Sequence, residues 1–121
     1  MKFSAYKVNH VHRGGLPIHQ KSQWTVPEWD ELRLFLMGYD RNWVDGKNNI
    51  WNVAQNMGAI GRDTAGDLSV AKYVCNQNEW HGYTVSPKRN GDKPPSEVVK
   101  TWVAEGIIKK KDGTNIMQGK V

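Results

Sequence analysis

Residues 94–121 read PPSEVVKTWVAEGIIKKKDGTNIMQGKV, and their order decides how the chain is parsed. Two prolines precede a run in which Val98, Val99, Trp102 and Val103 keep to one helical side. That spacing predicts a helix from about Ser96 to Glu105, stopped by Gly106. Ile107 and Ile108 follow, then Lys109, Lys110 and Lys111, then Asp112-Gly113. An Asp-Gly pair between two short segments is a two-residue hairpin signal, because both residues tolerate the turn's positive φ. Residues 107–111 and 114–117 are therefore expected to pair as a β-hairpin.

Upstream of this segment, residues 86–95, SPKRNGDKPP, form a basic loop rich in Gly and Pro. From Trp80 to Val85, Tyr83 and Val85 alternate with Gly82 and Thr84, which predicts an extended strand. Thr25-Val26-Pro27-Glu28 has the spacing of a capping box. Trp29, Leu32 and Leu36, with Phe35 beside them, then give a helix whose stop is Gly38. Residues 39–48 are a loop carrying Asp45-Gly46. Ile50, Val53, Ala54 and Met57 sit at i, i+3, i+4 and i+7, the spacing of a second helix, ended by Gly58. Asp67 is placed to cap a third from Leu68 to Cys75, although LSVAKYV also passes as a strand. Residues 2–12 alternate loosely and are read as a strand, with an irregular piece or short strand over residues 18–25.

These elements predict one α+β domain over residues 1–121, with three or four helices and a small antiparallel sheet that includes the C-terminal hairpin. The expected core draws on Trp29, Leu32, Leu36, Ile50, Val53, Met57, Leu68, Val74, Val99, Trp102 and Ile108. Trp51 joins it or its margin, whereas Trp24, Trp43 and Trp80, with Tyr39 and Tyr83, fall in loops or edges. One cysteine, Cys75, excludes an intramolecular disulfide and suits a reducing compartment. It ends an apolar stripe and is expected as a buried thiol. No apolar leader or membrane-length run is visible, so the expected location is the cytoplasm, without membrane contact.

The net charge of +5 is unevenly spread. Residues 1–27 carry four cations and no acid, residues 86–121 carry eight cations against four acids, and the middle is acidic. Basic ends that meet in space would make one phosphate-attracting face.

Two stretches resemble helix-turn-helix and winged-helix DNA-binding proteins. NIWNVAQNMG, with Ala54 and Gly58 four apart, is similar to the first helix of the former, and AIGRDTAGDLSVAKYV would hold the recognition helix. The helix bearing Val98, Val99, Trp102 and Val103, followed by Ala104-Glu105-Gly106-Ile107-Ile108 and the Asp112-Gly113-Thr114 turn, resembles a last helix and wing. The resemblance implies a basic hairpin gripping the nucleic-acid backbone.

The leading expectation is a non-enzymatic nucleic-acid-binding protein, with DNA as the partner. Lys88, Arg89, Lys93, Lys109, Lys110 and Lys111 would meet phosphates, and Lys100 and Thr101 would be the exposed helical contacts. A protein-binding inhibitor, such as an immunity protein, antitoxin or phage-encoded antagonist, is the alternative. A second is a small ribonuclease or toxin using the histidines His10 or His12 together with His81, with Lys88 or Arg89 for the phosphate. No cofactor is expected, and the His and Cys spacing matches no standard metal set.

Overall fold

A computed structural model describes residues 5–121. The elements run β1 (Gln23–Trp24), α1 (Glu28–Asp40), β2 (Ile50–Val53), β3 (Gly61–Asp63), β4 (Gly66–Leu68), β5 (Val70–Asn76), β6 (Glu79–Val85), α2 (Ser96–Ala104) and α3 (Lys110–Met117). Short 3-10 turns span His10–His12 and Gln55–Met57. This is the expected α+β class, with three helices and antiparallel strands.

Two three-stranded sheets have orders β1-β3-β4 and β2-β5-β6. The β2-β5-β6 sheet is the middle layer. One face packs Ile50, Ala71, Tyr73 and Trp80 against Trp24, Leu34, Phe35 and Ile60. The other packs Trp51, Val53, Val70 and Val85 against Val98, Val99, Trp102, Ile108 and Ile116. Trp43 meets Trp102 edge-on, with centroids 6.0 Å apart at 83°.

Burial on both faces explains two corrections. Residues 50–57 are β2 and a 3-10 turn, not a helix, and residues 68–75 end β4 and form most of β5. All four residues of β2 are buried, so its apolar positions do not alternate. Four consecutive apolar-compatible positions then mimic one helical side. The segments that carry the helix-turn-helix resemblance are thus largely strands.

The C-terminal hairpin is also corrected. Residues 110–117 are helix α3, and Asp112-Gly113 lies inside it. Gly113 serves close packing rather than a turn: a Cβ there would lie 2.7 Å from Val103 Cγ2 and 3.3 Å from Val99 Cγ1. Ile116, one turn on, is fully buried. Helix α2 stands where its spacing placed it, and Gly106, at φ +75°, follows its last turn.

Helix α1 forms as expected but turns a different side inward. Glu31, Leu34, Phe35 and Gly38 are buried, whereas Trp29 is 71% exposed and Leu36 46%. The capping box is not made: Pro27 precedes the first turn and no side chain caps it. Thr25 instead donates its backbone N–H to the Ile60 carbonyl, 2.9 Å away. The tryptophan assignment inverts likewise, since Trp24, Trp43 and Trp80 are buried. Leu32, Met57 and Val74 are half-buried, and Cys75 is exposed where β5 leaves the core.

The expected strand over residues 2–12 lies partly outside the described residues. Within them, Tyr6 bridges Trp80 of β6 in parallel, and Arg13 reaches the buried Glu31 of α1. The guanidinium lies 2.8 Å from Glu31 Oε1 and donates to the Val26 carbonyl at 2.9 Å. Tyr6 donates its hydroxyl to Glu31 Oε2, and Tyr73 donates to the Glu31 carbonyl at 2.9 Å. On the same helix, the Leu34 carbonyl accepts from Asn52 Nδ2 of β2 at 2.9 Å.

Gly38 is the point where α1 touches β2. A Cβ there would lie 2.7 Å from Ile50 Cγ2 and 3.0 Å from the Trp51 carbonyl oxygen. Alanine gains about 1 kcal/mol of helix propensity over glycine, but overpacking costs about 1–3 kcal/mol, and a backbone carbonyl cannot rotate aside. Gly38→Ala should therefore destabilise the fold by up to about 2 kcal/mol, read as a lower urea midpoint. A midpoint equal to or above that of the unmodified protein would contradict this packing.

Candidate functional site

Strand β6 pairs with β5 in the register Val74↔His81 and Lys72↔Tyr83. Alternate residues of a strand share a face, so His81 and Tyr83 stand side by side. The outer edge of β6 is covered by the N-terminal segment. Ser22 Oγ donates to the Thr84 carbonyl at 2.6 Å, and Trp24 Nε1 donates to the Gly82 carbonyl at 3.2 Å. These side chains stand in for a neighbouring strand.

The same segment folds back over the face. Asn9 Oδ1 accepts from Val11 N at 3.1 Å and starts the turn His10–His12. That turn stacks the His12 ring on Tyr83, with centroids 5.2 Å apart at 16°. His12 Nδ1 lies 2.8 Å from the Ser22 carbonyl oxygen. A carbonyl only accepts, so Nδ1 carries the hydrogen and Nε2 keeps its lone pair. Burial lowers the His12 pKa; the Ser22 bond opposes that shift and Lys21 adds to it.

His81 is half-buried, with Nε2 3.7 Å from Glu79 Oε1. Its Nδ1 is buried with no hydrogen-bond partner among the described residues. The third wall is the loop after β6. Lys72 donates to the Gly91 carbonyl at 2.9 Å and lies over the Trp51 ring at 5.2 Å. Asp92 sits 4.0 Å from the Lys72 ammonium. Burial raises the Asp92 pKa despite Lys72 and Arg89.

Between these walls lies a cleft of about 470 Å³, lined by Asn9, His12, Lys21, His81, Tyr83 and Arg89 among others. It continues past Asp63, Leu68, Val85 and Ser86 into a hollow of about 370 Å³ that reaches Lys88 and Asp112. Two cations, two imidazoles and a phenol thus meet in one depression. Such a set can bind an anion and exchange protons with it.

The structure divides the expected contact residues. Arg89 lines the cleft and Lys88 the adjoining hollow, whereas Lys93 is exposed beside Gly119. Lys100 and Lys110 border a separate groove between α2 and α3. Lys109 and Lys111 flank a third hollow with Asn56. The lysine run therefore forms no wing. Thr101 donates its hydroxyl to the Glu97 carbonyl at 3.0 Å, within its own helix. Of the three candidate histidines, His12 and His81 share the cleft, while His10 is exposed and does not line it.

Sequence reasoning passed over Lys21, Ser22, Asp92 and the pairing of Tyr83 with His12. Only Tyr83 left a signal: His81 and Tyr83 alternate within an expected strand. Among the described residues, no three His, Cys, Asp or Glu side chains are grouped to share a metal ion. No described helix is long and apolar enough to cross a membrane. No protein family, no curated protein and no solved structure matches the chain.

The lowered His12 pKa has a signed consequence. Below the ordinary histidine value of about 6.5 the unfolded chain binds the proton more readily. The folded state therefore loses stability as pH falls through and below that value. Asp92, with a raised pKa, acts in the opposite sense above about 3.8. The difference between the native chain and His12→Asn isolates His12. Urea midpoints between pH 7.5 and 5.5 should fall more steeply for the native chain. Parallel curves would refute the assignment.

Proposed function

We propose that this chain binds nucleic acid, and that a single strand enters the histidine cleft. The observation that carries this reading is the convergence of Lys21 and Arg89 with His12, Tyr83 and His81 around one depression. Guanidinium and ammonium groups neutralise phosphate, and the adjoining hollow adds Lys88 along the same path. Clefts of this size take ligands of small-molecule size, hence a nucleotide or two rather than a duplex. Acids at Asp63 and Asp92 in the cleft, and at Asp67 and Asp112 in the hollow, keep the path mixed in charge, which favours modest affinity.

Sequence-specific readout of duplex DNA has little support. The expected wing is helix α3, and Thr101 spends its hydroxyl hydrogen on its own helix. Helix α2 presents no Arg, Asn or Gln for base edges.

Binding of labelled 12-mers of RNA, single-stranded DNA and duplex DNA, followed by anisotropy, tests the proposal. Three phosphate contacts on a single strand give a salt slope of about −2, or roughly a 20-fold loss between 50 and 200 mM salt. Arg89→Ala should reduce that slope by about 0.7. An absence of binding at low salt, or a slope untouched by Arg89→Ala, defeats the reading.

One observation favours a second reading, a protein-binding inhibitor. Trp29 stands exposed in the first turn of α1, with Leu36 exposed two turns further along the same side. Exposed tryptophan on a rigid helix is a common energetic anchor of protein interfaces. Trp29→Ala should leave stability within about 0.5 kcal/mol. It should weaken capture of any stoichiometric partner by about 30-fold or more. Equal retention of that partner by both proteins would argue against α1 as the contact.

A further inference from the structure

Resting on the nucleic-acid reading of the cleft, we infer that the cleft cleaves RNA, with His12 as general base, His81 as general acid, and Arg89 and Lys21 holding the phosphate. Four observations carry it. His12 and His81 line the same depression, each next to Tyr83. His12 Nδ1 is engaged by the Ser22 carbonyl, which leaves the Nε2 lone pair as the only basic position of that ring. The buried Nδ1 of His81 leaves Nε2 as the nitrogen through which that ring can give a proton. Lys21 and Arg89 line the same cleft as the two rings and supply the positive charge a phosphate there needs.

The spacing suits the task. His81 and Tyr83 are two residues apart on one strand, roughly 7 Å along it. His12 stacks on the Tyr83 ring, so both imidazoles stand beside the same tyrosine in one cleft. The proposed step has each imidazole meet one oxygen of a single phosphodiester at a hydrogen-bond distance of about 3 Å. Burial keeps the His12 imidazole neutral near pH 7, as a base must be. The charged and titratable groups facing the pair are Lys21, Asp63, Glu79, Tyr83, Arg89 and Asp92.

The chemistry balances without a co-reactant. His12 Nε2 takes the proton of the ribose 2′-hydroxyl. The 2′-oxygen attacks the adjacent phosphorus, the P–O2′ bond forms, and the P–O5′ bond breaks. The leaving 5′-oxygen takes the proton from His81 Nε2. The products are a 2′,3′-cyclic phosphate and a 5′-hydroxyl. His12 ends protonated and His81 neutral, and exchange with water resets both. DNA lacks the 2′-hydroxyl and is bound without being cut.

The test uses the full chain with a labelled 12-mer RNA and its fully 2′-O-methylated counterpart, which cannot supply the nucleophile. The expected result is cleavage of the RNA to a product ending in 2′,3′-cyclic phosphate, with the methylated strand bound but intact. His12→Asn and His81→Ala should each slow cleavage by about 100-fold or more. In His12→Asn the side-chain amide can still donate to the Ser22 carbonyl, and thermal melts confirm its folding. His81→Gln provides a second, larger replacement at this half-buried position. His19→Ala, outside the cleft, should cut at the native rate. Cleavage that survives His12→Asn and His81→Ala overturns the inference. So does intact RNA alongside normal binding of the methylated strand, an outcome that leaves the binding proposal standing. Loss of binding by both strands overturns the two together.

Discussion

The buried carboxylate of Glu31 is the constraint on which the rest of the structure depends. It is fully excluded from water in the first turn of α1, the helix that covers one face of the central sheet. An unpaired carboxylate there would cost several kcal/mol. Its charge is met by Arg13, and its second oxygen by the Tyr6 hydroxyl. Burial, reinforced by Tyr73 and Glu31, holds the Tyr6 pKa far above its ordinary range, so the hydroxyl remains a donor. Both partners come from the N-terminal segment. Helix α1 therefore buries stably only with that segment in place. The same segment carries His12, Lys21 and Ser22, one wall of the cleft. A charge in the core thus sets the geometry of a site on the surface.

Legibility in the sequence followed the number of faces each element buries. Helix α2 buries one side, and Val98, Val99 and Trp102 announced it. Strand β6 was legible from the alternation of Tyr83 and Val85. Strand β2 buries both faces, which erases alternation and leaves four positions that also fit a helix. Asp112-Gly113 misled for a different reason: the glycine answers to Val99 and Val103 of another helix, and local turn chemistry knows nothing of them. On α1 the apolar side of Trp29 and Leu36 looked like the core. The true inner side holds a glutamate and a glycine, which periodicity counts as polar and neutral.

The site was legible in its residue types and hidden in its assembly. His12, His81 and Arg89 were identifiable as chemistry-bearing residues. Their meeting depends on the stack with Tyr83, the Ser22 bonds to His12 and Thr84, and the Arg13–Glu31 pair. Each joins residues at least ten positions apart, and no local pattern marks them. The lysines erred the other way. Lys109, Lys110 and Lys111 are conspicuous as a run, yet a helix turns successive residues through about 100° and so distributes them among different surroundings.

The lateral borders of the central sheet have a consequence beyond the cleft. Backbone bonds from Lys7 to Trp80 and from Trp80 to Ala5, with Ser22 and Trp24 further along, occupy the free side of β6. On the opposite border, Trp51 donates to the Trp43 carbonyl at 2.9 Å, and Val44 bridges Ile50. The chain seals both flanks of its sheet with its own irregular segments. Release of the N-terminal segment would unseal a seven-residue strand rich in aromatic side chains and ready to pair with another copy. Resistance to self-association and the shape of the cleft wall therefore rest on the same twenty residues or so of non-repetitive backbone.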